Sequence, residues 1–208
     1  MVDIISAKFK DSLASIKTAP PSEEFNEVVF IARSNTGKSS LINGLTNISS
    51  LAKVSQTPGK TRLINYFDVV YLNREDDTKL DVVFVDLPGF GYAKVSKSLK
   101  DEWEESLTNF LLKRENISLF IHLVDSRHPH LEIDRSVDEF LNQIKKPHQK
   151  ILKIFTKIDK LNQKEQSALK KEFGDVLVCS SAKKRGLKEI NSTIYKILKE
   201  AQDEHRAN

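Results

Sequence analysis

The stretch Ala32-Arg33-Ser34-Asn35-Thr36-Gly37-Lys38-Ser39 decides the fold class, because it fits the pattern G-x-x-x-x-G-K-[ST] everywhere except at its first position. It follows the apolar run Glu27–Ala32 and precedes Ser40-Leu41-Ile42-Asn43, which reads as the continuation of a helix. Between a strand and a helix, consecutive backbone N–H groups and the helix N-terminus form a positively polarised pocket for phosphate oxygens. The stretch therefore predicts a phosphate-binding loop.

The loop residues have separate expected roles. Lys38 would reach the β- and γ-phosphates of a nucleotide, the Ser39 hydroxyl would bind Mg²⁺, and Gly37 would let the backbone close on the ligand. Ala32 stands where a glycine is usual, and its methyl group is tolerated if φ there is negative. The alternative is an ordinary strand–turn–helix connection rich in Ser and Lys. The predicted nucleotide contacts in this region are Ala32, Arg33, Ser34, Asn35, Thr36, Gly37, Lys38, Ser39 and Ser40.

A second motif, D-x-x-G, begins at Asp86, the last residue of the apolar run Leu80–Asp86. The Asp86 carboxylate is expected beside Mg²⁺, through water, and the Gly89 N–H would sense the γ-phosphate. A plain turn after a strand, with Asp and Pro-Gly as turn residues, is the alternative. The position of the motif downstream of the phosphate loop, across a hairpin, favours the magnesium interpretation. The predicted contacts here are Asp86, Leu87, Pro88 and Gly89.

The polar segment Thr57-Pro58-Gly59-Lys60-Thr61-Arg62 lies between these motifs. A nucleotide switch needs a mobile threonine here, whose hydroxyl completes the magnesium shell. Thr61 is the expected direct ligand, together with Ser39, and Thr57 is the alternative. A simple Pro-Gly turn would also explain the segment. The predicted nucleotide contacts are Gly59, Lys60, Thr61, Arg62 and Leu63.

Two later stretches favour guanine as the bound base. In Thr156-Lys157-Ile158-Asp159, the carboxylate of Asp159 can accept both N1–H and the 2-amino group of guanine, whereas adenine is mismatched. The Lys157 stem can lie against the base and tie back to the phosphate loop. In Ser180-Ser181-Ala182, a backbone N–H, expected from Ala182, would meet guanine O6. Each stretch alone could be a helix N-cap after a strand. A P-loop ATPase or kinase without guanine preference is the competing hypothesis.

Apolar runs alternate with helix-period segments through most of the chain. The pattern predicts right-handed βαβ crossovers and a mostly parallel sheet with helices on both faces. A short polar stretch, residues 73–79, predicts one antiparallel hairpin at the sheet edge. We therefore expect a three-layer α/β domain with a six-stranded sheet. The predicted strands are Glu27–Ala32, Asn65–Leu72, Leu80–Asp86, Ser118–Asp125, Lys150–Thr156 and Asp175–Ser180.

The 208 residues predict one domain over 27–204, with an N-terminal extension, 1–26, packed on or linked to it and a tail at 205–208. Cys179 is the single cysteine, which fits a reducing compartment. No apolar run approaches the ~20 residues that cross a bilayer. We expect a cytoplasmic monomer with no membrane or DNA partner. The net charge of +4 is compatible with an anionic partner and equally with a solvated surface.

These motifs resemble the bacterial GTPases of the Era, EngA and EngB group, and most closely the EngB family. The resemblance covers roughly Val28 to Leu198 and includes Trp103. It implies a Ras-like P-loop GTPase domain, GTP hydrolysis with Mg²⁺, a role in assembly of the large ribosomal subunit, and a link to cell division and septation. The stretches that carry it are Arg33 to Asn43, Thr57 to Asn65, Asp86 to Ala93 and Asp125-Ser126-Arg127-His128-Pro129.

No catalytic residue is assigned, because Phe90 stands where many GTPases place a glutamine that orients the attacking water. We expect slow intrinsic hydrolysis supported by Lys38, Thr61 and Asn35. Asn35 matches an asparagine that coordinates K⁺ in related GTPases, and it could be a simple loop residue. A GTP-binding adaptor with little hydrolysis is a further alternative. Basic residues that could bind ribosomal RNA, or be merely solvated, are Lys60, Arg62, Lys94, Lys97, Lys100, Lys183, Lys184, Arg185 and Lys188.

Overall fold

The computed structural model describes residues 1–13, 26–53, 63–90 and 107–207. Seven strands form one sheet in the order β1-β3-β4-β2-β5-β6-β7. Strands β4, β2, β5, β6 and β7 run parallel, whereas β3 is antiparallel to both β1 and β4. The strand bounds are Val2–Leu13 (β1), Glu27–Ala32 (β2), Ile64–Asn73 (β3), Thr78–Asp86 (β4), Ile117–Asp125 (β5), Lys150–Thr156 (β6) and Leu177–Val178 (β7).

Helices cover both faces of the sheet. One face carries α1 and α5, whose apolar side chains share a core with alternate residues of β2 such as Val28 and Phe30. The other face carries α2 and α3 over Val29 and Ile31. This alternation along a fully buried strand confirms the predicted three-layer α/β fold. The helices are Lys38–Thr46 (α1), residues 107–113 (α2), Glu132–Ile144 (α3), Gln163–Phe173 (α4) and Leu187–Ala207 (α5).

The prediction of six strands was wrong, because residues 2–13 form a seventh strand in the sheet. β1 pairs with the whole of β3, from Val2 opposite Asn73 to Leu13 opposite Ile64. The β3–β4 hairpin is therefore antiparallel as predicted but does not lie at the sheet edge. β1 is half exposed, and Lys10 forms an ion pair with Asp68 of β3. Its mixed polar composition follows from this edge position, where only one face and one side are covered.

The predicted strand Asp175–Ser180 is also shorter than expected, because only Leu177–Val178 pairs with β6. Ser180 turns away and exchanges two backbone hydrogen bonds with Arg185, at 3.0 and 3.1 Å. Cys179, the residue between β7 and this turn, is buried. Within the described part of the chain, no helix is both long and apolar enough to cross a membrane.

The side chain of Asn43 fixes the turn that follows α1. Its amide nitrogen donates to the carbonyls of Ser49 (3.0 Å) and Ala52 (2.9 Å), and its oxygen accepts from the Ala52 N–H (2.7 Å). The carbonyl and N–H of Ala52 are buried and belong to no regular element, so the Asn43 side chain supplies hydrogen bonds that they would otherwise lack. Asn43 thus sets the direction in which the chain leaves α1 towards residues 54–62.

Candidate functional site

The phosphate loop leaves the C-terminal end of β2 and enters α1 through two residues with left-handed backbone, Asn35 (φ 64°) and Gly37 (φ 103°). Among the described residues, no side chain caps the N-terminus of α1, so its first N–H groups point into the loop without a side-chain acceptor there. Ala32 is the last residue of β2 and lies outside the positive-φ region, which is the condition under which alanine is tolerated there. The loop thus has the shape of an anion cradle.

The Nζ of Lys38 forms an ion pair with the carboxylate of Asp86. Both side chains are nearly buried, at 11% and 5% exposure. Asp86 ends β4, directly beside Phe30 of β2, which explains why the two motifs meet although they are far apart in sequence. Ser39 follows Lys38 in the first turn of α1. A hydroxyl and a buried carboxylate at one strand end are the oxygen ligands that Mg²⁺ prefers, so these residues fit a magnesium site.

The D-x-x-G loop rests on the phosphate loop. The Phe90 N–H donates to the carbonyl of Ala32 (3.1 Å), and the Ser34 N–H donates to the carbonyl of Phe90 (3.3 Å). A Cβ added to Gly89 would lie 2.9 Å from Ser34 Oγ and 3.0 Å from Ser34 Cα. Only glycine allows this approach without a shift of one loop.

The T-K-x-D stretch is tied to the phosphate loop by two side chains. The Thr156 hydroxyl donates to the carbonyl of Thr36 (2.7 Å), and Lys157 Nζ donates to the carbonyl of Asn35 (2.5 Å). Lys157 has a left-handed backbone (φ 58°), after which the chain makes a single 3-10 turn, Ile158–Lys160, that carries Asp159. The Asp159 side chain is 15% exposed. The Asp159 carboxylate is thus largely shielded from solvent, in the turn that follows the link to the phosphate loop.

The Ser180–Ala182 loop lies against the same turn. Ile158 N–H donates to the carbonyl of Cys179 (3.1 Å), and the Ser180 hydroxyl accepts from the Lys183 N–H (3.0 Å), while Ala182 is exposed. Burial raises the pKa of the Cys179 thiol to about 12, and the nearby Asp159 carboxylate adds to the shift. The four motifs therefore meet at the carboxyl ends of the parallel strands.

Asp125 is a further residue of the site that the motif analysis did not assign. Its carboxylate accepts from Lys157 Nζ (2.9 Å) and from the guanidinium of Arg127 (2.7 and 2.9 Å). Burial alone would raise the pKa of Asp125, but the hydrogen bonds from Arg127 and Lys157 outweigh it and hold the pKa well below the ordinary value. The signal in the sequence was an aspartate at the C-terminal end of an apolar strand, the position at which Asp86 was recognised.

A second group that sequence reasoning missed lies beneath the phosphate loop. Arg33 Nε donates to both carboxylate oxygens of Asp134 in α3, at 2.9 and 3.1 Å. Near it, the buried imidazole of His122 in β5 contacts Asp138. A histidine in the middle of an apolar strand, with two aspartates four residues apart on the next helix, was the signal in the sequence.

Part of the predicted site lies outside the described residues. This holds for Gly59, Lys60, Thr61 and Arg62, whereas Leu63 is described and is exposed just before β3. Lys94, Lys97, Lys100 and Trp103 also lie outside the described residues. The phosphate loop, D-x-x-G, T-K-x-D and the Ser180–Ala182 loop are the parts that the structure brings together.

The chain is similar to known proteins over most of its length. Residues 27–157 match the family described as 50S ribosome-binding GTPase. The chain is 52% identical over 192 residues to the probable GTP-binding protein EngB of Aliarcobacter butzleri, covering 92% of this chain and 96% of that protein. It is 53% identical over 191 residues to EngB of Campylobacter jejuni serotype O:2, covering 92% and 95%. The chain belongs to the EngB family of GTP-binding proteins.

Solved structures agree with an EngB fold. A crystal structure of a probable EngB covers 84% of this chain and 99% of that chain, with a TM-score of 0.61 and 21% identity. The structure of Era with MgGDPNP and nucleotides 1506–1542 of 16S ribosomal RNA covers 85% and 57%, with a TM-score of 0.62 and 22% identity. These likenesses show the fold, and together with the family match they confirm the predicted Ras-like P-loop GTPase fold.

Proposed function

We propose that this EngB-family chain is a slow, Mg²⁺-dependent GTPase switch that acts in assembly of the large ribosomal subunit in the cytoplasm, with a family link to cell division and septation. One observation carries the proposal: the family match spans residues 27–157, from the phosphate loop to the T-K-x-D lysine, and that family is described by its binding to the 50S subunit. GTP or GDP is the ligand that the four motifs fit. We take residues 27–204 as one G domain, 1–26 as an extension packed on it and 205–208 as a tail, acting as a monomer.

The nucleotide would lie across the carboxyl ends of the parallel strands, from Lys38 to Asp159. Its phosphates would occupy the loop at 32–40, and Lys38 would exchange its ion pair with Asp86 for the β- and γ-phosphates. Ser39 and Thr61 would hold Mg²⁺ directly and Asp86 through water, and the ion would neutralise phosphate charge. Guanine would lie beside Asp159, with the Ser180–Ala182 loop at its O6.

Slow intrinsic hydrolysis follows from the residue after D-x-x-G. Phe90 has no side-chain hydrogen bond to offer a water molecule, and its ring lies 6.3 Å from the His122 ring. The stabilisation that a glutamine would supply must then come from elsewhere, either K⁺ held near Asn35 or a ribosomal particle. If neither accelerates turnover, the chain is a GTP-binding adaptor.

The expected partner is a large-subunit particle with exposed RNA. Lys183, Lys184, Arg185 and Lys188 are all exposed and follow the guanine loop directly. Phosphate contacts made by lysine and arginine weaken as salt rises, because bound counterions are released on association. Binding next to the nucleotide would also respond to whether GTP or GDP is present.

The test is cosedimentation with large-subunit precursors in the presence of a GTP analogue, GDP or no nucleotide, at several salt concentrations. We expect binding to be strongest with the GTP analogue and to fall steeply with salt. Asp159→Asn is the control, because an amide there pairs with xanthine better than with guanine; binding should then follow xanthosine triphosphate. Association that is indifferent to nucleotide would contradict the proposal, and equal affinity for ATP and GTP would favour the ATPase or kinase alternative.

A further inference from the structure

His122 lies in the middle of β5, wholly buried, between two carboxylates of α3. Its Nδ1 is 2.5 Å from Asp138 Oδ1, and its Nε2 is 3.8 Å from Asp134 Oδ1. Asp134 and Asp138 are four residues apart on one helix and so project from the same face. One imidazole ring is thus hydrogen-bonded to Asp138, while its buried Nε2 has no hydrogen-bond partner among the described residues and faces Asp134.

The protonation state of the His122 ring decides whether each of the two carboxylates faces an N–H. A neutral imidazole has one N–H, so one carboxylate would face a nitrogen lone pair; the imidazolium has an N–H for each carboxylate. Burial by itself lowers the pKa of His122, but the hydrogen bond to Asp138 and the negative charges of Asp134 and Asp138 outweigh it, and the net pKa is raised. Among the described residues, two cations also face this group: Arg33 forms an ion pair with Asp134, and Lys153 of β6 forms one with Asp138.

Two contacts lead from His122 to the proposed nucleotide site. Asp134 is 3% exposed and holds the Nε of Arg33 in the phosphate loop. The His122 ring also lies 6.3 Å from the ring of Phe90, the residue that follows D-x-x-G. Arg33 and Phe90 are joined in turn by a backbone bridge. The histidine therefore lies next to the D-x-x-G loop through Phe90 and is linked to the phosphate loop through Asp134.

We propose that His122 is a positioning residue for the phosphate loop, whose protonated form draws Asp134 into line with Arg33 and holds the Arg33–Phe90 bridge in the nucleotide-binding arrangement. When the ring loses its proton, the lone pair of Nε2 faces the Asp134 carboxylate, and this support for Arg33 weakens. The inference rests on the proposed function, since it requires a guanine nucleotide in the phosphate loop. It adds a proton-dependent control of that site.

Linkage gives the first test, with the full wild-type chain. If protonation of His122 favours GDP binding, bound GDP must raise the pKa of His122 by the same free energy. We would follow the ring resonances of His122 by NMR against pH, with and without saturating GDP. We expect GDP to raise the apparent pKa by about half a unit to one unit, equivalent to a three- to tenfold change in affinity. An identical pKa in both states overturns the proposal.

The second test compares two variants by the pH dependence of GDP affinity. His122→Gln keeps an amide N–H that can reach Asp134 and does not titrate. His130→Gln is the matched control, because His130 is exposed and forms an ion pair with Glu172, away from the phosphate loop. The ionisation of the GDP phosphate is common to all three proteins, so differences between them report on the histidines.

We expect wild type and His130→Gln to lose affinity about three- to tenfold more than His122→Gln as pH rises from about 6 to 8.5. The same pH profile in His122→Gln as in wild type overturns the proposal. If His122→Gln does not fold, the wild-type NMR titration decides alone. If wild type binds no GDP at any pH, the proposed function fails and this inference fails with it, whereas GDP binding without the pKa shift sinks this inference only.

Discussion

The amine of Lys157 is 2.9 Å from the carboxylate of Asp125, while it also donates to the backbone carbonyl of Asn35. Three chain segments are joined by this one side chain: the end of β5, the T-K-x-D stretch and the phosphate loop. The Lys157 stem also lies 3.8 Å from where a Cβ of Gly37 would be. The phosphate end and the guanine end of the proposed nucleotide site are therefore joined by the hydrogen bonds of Lys157.

Asp125→Asn should weaken GDP binding, because Lys157 would lose its charged partner and its hold on the phosphate loop would slacken. We expect the dissociation constant, measured with a fluorescent GDP analogue, to rise about tenfold, which corresponds to about 1.4 kcal/mol. Arg127→Gln is the control, since Arg127 is the more exposed partner of the same carboxylate. Its effect should stay below about threefold, as for exposed ion pairs; equal effects of the two variants would contradict this role of Lys157.

Gly89→Ala should separate the two loops that meet at Ser34. The added methyl group would lie within 3.0 Å of Ser34 backbone atoms, so one loop must move, at a cost of about 1–3 kcal/mol. We expect affinity for a non-hydrolysable GTP analogue to fall more than affinity for GDP, since Gly89 is the residue proposed to sense the γ-phosphate. Titration calorimetry with both nucleotides measures the difference. Equal losses for both would indicate a general disturbance of the phosphate loop instead.

Potassium should accelerate GTP turnover if a monovalent cation supplies the stabilisation that Phe90 cannot. The side chain of Asn35 is exposed at the loop, where a cation near the phosphates would meet its amide oxygen. We expect rates in K⁺ to exceed those in Na⁺ by about tenfold at equal ionic strength, a modest share of what electrostatic stabilisation can supply. Asn35→Ala should remove the difference. Equal rates in the two salts for wild type would rule the idea out.

Cys179 should resist alkylation until the protein unfolds. Its thiol is buried and its pKa is raised to about 12, so almost no thiolate exists near pH 8. Because the unfolded value is about 8.5, the neutral thiol stabilises the folded state fully below that pH, and this contribution is lost as pH rises towards the folded pKa. Iodoacetamide labelling followed by mass spectrometry, with and without urea, measures how far Cys179 is protected from alkylation. Rapid labelling of the native protein would show that the loop at 180–185 opens readily.

Asn43→Ala should lower the free energy of unfolding, because the buried carbonyl and N–H of Ala52, and the carbonyl of the exposed Ser49, lose their partner. The expected cost is about 2–3 kcal/mol, measured by urea unfolding. Asn142→Ala serves as the control, since the Asn142 amide donates to a helix carbonyl on the exposed side of α3. That variant should change stability by less than about 0.5 kcal/mol. A similar loss in both would mean that the turn after α1 does not depend on Asn43.

The sequence predicted those features in which a local pattern has a single physical cause. The apolar runs around Val28 and Phe120 are strands buried on both faces, and both are found where the pattern indicated. β1 was not recognised as part of the sheet, because an edge strand needs only a few apolar contacts and its pairing with β3 depends on residues far along the chain.

The same distinction applies to the candidate site. Residues in motifs, such as Lys38 and Asp159, were identified from spacing, whereas the partners that hold them were not. The Arg33–Asp134 pair joins residues a hundred positions apart, and nothing local in either segment specifies the other. Such pairs are set by which helix the fold places under the loop, so they become visible only with the tertiary structure.

The pairing of β1 with β3 has a consequence for how the chain acquires its structure during synthesis. During synthesis, residues 2–13 are made before their partner strand, Ile64–Asn73, which follows only after β2, α1 and the segment 54–62. Until then β1 has an unsatisfied hydrogen-bonding edge and must remain unpaired or find a transient partner. Because β3 is made before β4 to β7, β1 can pair as soon as β3 has emerged, before the parallel part of the sheet is complete.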